Sequence, residues 1–119
     1  MAWLRWSAAL LCLSLGAPLW GACQPGGPGD VPDRGRRAGA EKLIFFASWC
    51  PQCRDHLRAL KPEARVLIVA SFDERQAADE ALAWLKLSRL PCIYDVDNRI
   101  ARWQGVQSVP ASRPFPATR

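Results

Sequence analysis

A short apolar run, Lys42-Leu43-Ile44-Phe45-Phe46, ends just ahead of a Cys-x-x-Cys, Cys50-Pro51-Gln52-Cys53. No other feature constrains this chain as tightly. The run is rich in β-formers, the pattern of a strand buried on both faces as in a parallel sheet. Ala47-Ser48-Trp49-Cys50 reads as a turn, and Pro51 suits the first turn of a helix, where its missing N–H removes no bond. Helix formers continue from Gln52 to Leu60, with Cys53, Leu57 and Leu60 on one face, and Pro62 stops them. Arg65 to Ser71 reads as a second buried strand. Ser71 or Asp73 offers a cap for a helix running to about Leu87, with Ala77, Ala81, Trp84 and Leu85 at helical spacing. This alternation of strands and helices predicts an α/β layer fold.

The position of the thiol pair in that frame carries chemistry. Cys50 falls at a strand-to-helix junction, so its sulfur faces the unpaired N–H groups and the positive end of the helix. That setting favours thiolate over thiol and makes Cys50 the nucleophile. Cys53 lies one turn on and more buried, placed to attack a mixed disulfide and release the partner. The other cysteines, Cys12, Cys23 and Cys92, are dispersed. They supply neither the second pair of a zinc ribbon nor the density of a disulfide-stapled mini-protein. A competing reading gives Cys50, Cys53 and His56 to Cu(I) or Zn(II), since soft thiolates suit copper, but no fourth ligand is evident. Cys92 reads as a buried residue acting as a small hydrophobe, and Trp84 and Trp103 as core aromatics.

The N-terminal part reads as an address. Residues 1–22 have a signal-peptide layout: Arg5, an apolar stretch from Ala8 to Leu19, then the small residues Gly21 and Ala22. Leu19-Trp20-Gly21-Ala22-Cys23 resembles a bacterial lipobox, with Trp20 standing where an aliphatic residue is usual. The expectation is therefore export to the periplasm, with Cys23 as a lipidation site tethering the protein to a membrane. Residues 23–40 are rich in Gly, Pro and charge without apolar periodicity, and read as a flexible tether. The domain proper is expected over 41–119. A formal net charge of +5 is modest, and Arg34, Arg36 and Arg37 cluster in the tether rather than on a patterned face. No basic stripe interleaved with aromatics is present, which argues against a nucleic-acid partner.

Phe45-Phe46-Ala47-Ser48-Trp49-Cys50-Pro51-Gln52-Cys53-Arg54 resembles the active-site segment of thioredoxin-fold proteins, and most nearly the TlpA-like thiol-disulfide oxidoreductases. Asp95-Val96-Asp97-Asn98, Ile100-Ala101-Arg102-Trp103, Gly105-Val106 and Val109-Pro110 are similar to a later stretch of that family. The resemblance spans roughly Lys42 to Pro110. It implies a thioredoxin-like fold and a reductase of protein disulfides outside the cytoplasm, with Cys50 attacking and Cys53 resolving. It needs no cofactor beyond the Cys50–Cys53 disulfide and no metal. It also implies two partners: substrate proteins with disulfides or thiols, and a membrane thiol-reducing donor. Trp49 would shield the disulfide, Pro51 and Gln52 would set its potential, and Val109-Pro110 would bind substrate backbone through a cis-proline. His56, the chain's single histidine, would tune the dithiol. Its simpler reading is a solvent-facing residue beside Arg54, Asp55 and Arg58. Ile44 stands where cytosolic thioredoxins carry a buried Asp.

The likeness fades after Pro110. The family continues with a hairpin and a final helix, whereas Ala111 to Arg119 is short and holds Pro114 and Pro116, which oppose strands. The fold is thus expected to be incomplete, lacking the C-terminal hairpin and last helix. Lys42–Phe46 would become an exposed edge, and roughly 80 ordered residues would make a marginal core or an inactive remnant.

Overall fold

The structure is a computed structural model that describes residues 23–116. The expected signal segment over 1–22 lies outside the described residues. Five strands form one sheet: β1 (Cys23–Gly26), β2 (Lys42–Phe46), β3 (Val66–Ala70), β4 (Cys92–Asp95) and β5 (Ala111–Pro114). Their spatial order is β1-β4-β3-β2-β5, parallel throughout except for β5, which runs antiparallel to β2. The helices are α1 (Val31–Ala38), α2 (Pro51–Arg58), α3 (Arg75–Trp84) and α4 (Arg99–Trp103). The architecture is mixed α/β, as the alternation in the sequence predicts.

The central strands have no polar face because both of their faces are covered. Alternate residues point to opposite sides of a strand. Ile44, Phe46, Ile68, Ala70 and Cys92 therefore enter one core with Cys53 and Leu57 of α2 and Ala78 and Leu82 of α3. Leu43, Phe45, Leu67, Val69 and Ile93 enter the other, with Val31 of α1 and Ile100 and Ala101 of α4. The register aligns Ile44 with Ile68, Ile68 with Cys92, and Cys92 with Cys23.

That last alignment corrects two expectations. Cys92 is no mere small hydrophobe: it is bonded to Cys23, 69 residues away, with the Cα atoms 4.4 Å apart. Residues 23–40 are likewise not a flexible tether but β1, a short 3-10 turn and α1. Local composition gave no sign of this because the ordering is long-range, through pairing with β4 and the disulfide. Within α1 the cues are local: Pro32 in the first turn, Asp33 bridging Arg36 and Arg37, and Gly39 closing the helix at φ 62°.

The expected exposed edge at Lys42–Phe46 is corrected too. Ala111–Pro114 forms β5 along β2, so β2 has a neighbour on each side and is not an edge. Pro114 is tolerated because it is the last residue of an outer strand, where a missing N–H matters least. Phe115 follows, its N–H bonded to the Glu41 carbonyl and its ring against Gly35 of α1. Among the described residues no further strand or helix follows β5.

α3 is shorter than its sequence suggests and turned by about one residue. Ser71 and Asp73 are engaged elsewhere, Glu74 occupies the cap position, and Lys86 breaks the helix line with φ 62°. Its buried residues are Ala78 and Leu82, while Trp84 is 72% exposed rather than core. Trp103 is half-buried against the second core.

Two stability predictions follow from these contacts. Loop closure over the Cys23–Cys92 span corresponds to about 4 kcal/mol, so a Cys23→Ser/Cys92→Ser double variant should lose stability of that order in a urea melt; a loss below about 1 kcal/mol would mean that the bridge does not hold β1. A Cβ added at Gly35 would lie 2.2 Å from the Phe115 ring. Gly35→Ala should therefore destabilise by ~1–2 kcal/mol net, overpacking outweighing the gain in helix propensity.

Candidate active site

β2 ends at Phe46, and four residues later the chain enters α2 through Cys50, which is the helix N-cap. With β-region φ and ψ, Cys50 points its sulfur back at the first turn. The Cys53 N–H donates to Cys50 Sγ at 3.0 Å, so the sulfur does the work that a Ser or Asp oxygen does at other helix starts. On the other side, Cys50 Sγ lies 3.8 Å from the Val109 carbonyl, to which its S–H can donate. The sequence thus placed the pair correctly at the strand-to-helix junction. Both thiols are buried, Cys50 at 3% exposed and Cys53 fully.

The Cys53 thiol is pushed up to about 12. Burial is the largest cause, followed by its hydrogen bond with Cys50; a backbone hydrogen bond at Ala47 opposes them, and the charges of Cys50 and Asp73 add to the rise. Cys53 therefore keeps its proton well above neutral pH. The pair can present one sulfur for attack while the other holds its proton in reserve.

The turn before Cys50 is clamped from the loop after β3. Asp73 accepts from both the N–H and the hydroxyl of Ser48, and from the Glu74 N–H. Trp49 donates its indole N–H to the Phe72 carbonyl at 2.7 Å. Phe72 has φ 59°, a left-handed conformation unusual for an aromatic residue, and its N–H is held by Asn98 Oδ1 at 2.7 Å. Tyr94 adds a hydroxyl bond to the Asp73 carbonyl. Arg54, in α2, returns a bond to the Ser48 carbonyl.

Of the residues singled out in the sequence, the structure gathers Cys50, Cys53, Trp49 and Val109 around one point. Pro110 follows Val109 through a cis peptide bond, as anticipated. Pro51, Gln52 and His56 lie exposed on α2, the simpler of the two readings for His56. Cys23 is elsewhere. Its sulfur is shared with Cys92, and one sulfur cannot hold both a disulfide and a lipid thioether, so in this structure Cys23 is a half-cystine and not a lipid attachment point. Sequence reasoning missed Asp73, Phe72, Asn98 and Tyr94. One signal was available: Asn98 follows Asp97 in a short loop, and Asn is among the side chains that best tolerate its φ of 58°.

Among the described residues no group of three or more His, Cys, Asp and Glu side chains is placed to hold a metal ion. Among them, too, no helix is long and apolar enough to cross a membrane. No family model matches the sequence, and no curated protein matches it.

The raised Cys53 value carries a stability signature. Below pH 9 the thiol keeps its proton folded or unfolded, and its contribution is intact; from 9 to about 12 only the unfolded thiol ionises, so stability falls as pH rises. The urea midpoint of the reduced protein, taken against a Cys53→Ala variant, should stay parallel below pH 9 and drop above it. Parallel curves throughout would mean that Cys53 is not held in its neutral form.

Proposed function

We propose that this protein is a thiol-disulfide oxidoreductase of the thioredoxin-like, TlpA-like kind, reducing disulfides of other proteins outside the cytoplasm. The observation that carries the reading is the Cys50 sulfur at the head of α2, bonded by the Cys53 amide at 3.0 Å, with the Cys53 thiol buried behind it. Supporting it are the parallel β1-β4-β3-β2 order with an antiparallel β5, and the passage of Val109-Pro110 beside the sulfur.

The Cys50 thiolate attacks one sulfur of a substrate disulfide, forming a Cys50–substrate disulfide and expelling the other substrate sulfur as a thiolate, which takes up a proton. Cys53 then loses its proton and attacks Cys50 Sγ. The second substrate thiol departs, and the pair is left as the Cys50–Cys53 disulfide. Two electrons have passed to the substrate, and a membrane dithiol donor returns the pair to its reduced state. The Cys23–Cys92 bridge favours an oxidising compartment, in keeping with the leader-like N-terminus. The direction of electron flow rests on the family resemblance.

Incubation with a nitrobenzoate disulfide tests the assignment. Wild type should release two thiols per chain, Cys50→Ser none, and Cys53→Ser one, with a stable mixed disulfide on Cys50. Turnover by Cys50→Ser at the wild-type rate would sink the reading. A reduction potential near roughly −270 mV would fit a reductase, and one near roughly −120 mV a disulfide donor.

A further inference from the structure

The two large hydrophobic side chains that stand exposed among the described residues are Trp49, at 60%, and Trp84, at 72%. They come from different elements, yet both line one cleft of about 350 Å³ between the start of α2 and the outer side of α3. Ser48, Arg54, Ala77, Glu80 and Ala81 complete its walls, and it runs on past Trp84 to Leu85. Scattered exposed hydrophobics need no explanation. Two tryptophans on one concavity, the first of them adjacent to the attacking cysteine, do.

We propose that this cleft docks the polypeptide segment that carries the target cysteine, taking an apolar or aromatic side chain that flanks it. The inference rests on the function proposed above and names the substrate feature that the same site selects. Trp49 immediately precedes Cys50, so its ring is within reach of a chain whose sulfur is bonded there. The indole N–H of Trp49 is committed to Phe72, which leaves the ring's hydrocarbon surface for contact. Arg54 spends one N–H on the Ser48 carbonyl and has others for a backbone carbonyl or carboxylate of the incoming segment. A lipid surface fits less well, because Glu80 on the cleft wall would oppose anionic headgroups. Trp84 touches neither reacting sulfur; its part is selection.

The test uses the full chain and short peptides bearing one cysteine as a nitrothiobenzoate mixed disulfide, with Phe placed at each flanking position in turn or Ser throughout. The reduced pair supplies the electrons, and the released thionitrobenzoate reports the rate. At one or more positions Phe should speed the reaction roughly tenfold over Ser, the scale expected for partial burial of an aromatic ring. Trp84→Ala should remove that preference while leaving the Ser peptide unchanged, and Trp84→Phe should restore part of it. A preference absent from wild type, or retained in Trp84→Ala, overturns the proposal while leaving the redox assignment standing. No release from any peptide would bring both down. Loss of binding to phosphatidylglycerol vesicles in Trp84→Ala, with peptide preference unaltered, would assign the cleft to lipid and equally overturn it.

Discussion

Everything at the site depends on β2 being held from both sides. β3 binds it in parallel and β5 in antiparallel register, while its two faces fill separate cores. A strand fixed in that way has no freedom to slip, since a one-residue shift would send Ile44 and Phe46 to the wrong core. The point where the chain leaves the sheet is therefore fixed, and with it the start of α2. Cys50 inherits its position from β2, and the sulfur–amide bond follows from the cap geometry. β5 gives the same strand its second neighbour and brings Val109 to the sulfur's other side.

A second layer of constraint acts on the turn itself. Ser48 and Trp49 have no regular secondary structure to hold them, so the loop after β3 does so through Asp73 and the Phe72 carbonyl. That loop is in turn gripped by Asn98 and Tyr94, which come from β4 and the turn beyond it. Asp95, buried at the end of β4, anchors this end of the sheet by accepting from Ser71 and from the Ile100 and Ala101 amides. Its carboxylate satisfies the first N–H groups of α4, which would otherwise be orphaned in the core. Residues from three loops thus share one hydrogen-bonded assembly behind the thiol pair, and a polar network of this kind resists distortion only while every member is satisfied.

What the sequence disclosed, and what it hid, divides by the range of the interaction. β2, β3 and the entry to α2 were legible because buried strands and a Pro after an N-cap leave local marks at Lys42–Phe46, Val66–Ala70 and Pro51. The ordering of residues 23–40 was not, because Gly- and Pro-rich segments signal disorder unless something distant holds them, and here that is β4 and Cys92. β5 was hidden by Pro114, whose cost depends on whether the strand is outer or central. The face of α3 was misjudged because Ala77, Ala78 and Ala81 are equally acceptable in a core or at its edge, so the tryptophan tipped the reading the wrong way. The clamp on the active-site turn was invisible for a further reason: Asp73 and Asn98 are ordinary loop residues until their partners are known.

Two cysteine pairs of opposite character coexist in this chain, and exposure does not distinguish them, for all four are buried. Placement does. Cys23 and Cys92 are register partners within the sheet, and α3 straps the first of them, Asp79 accepting the Cys23 N–H and Arg75 donating to the Cys23 carbonyl. Cys50 instead ends a turn beside an open cleft, with an amide hydrogen aimed at its sulfur and the reserve thiol one helical turn behind. Thiol exchange is governed by access and by the charge that the attacked and attacking sulfurs can bear. Under the proposed function, exchange would run through Cys50, whose sulfur accepts the Cys53 amide, and would leave the strapped bridge in place.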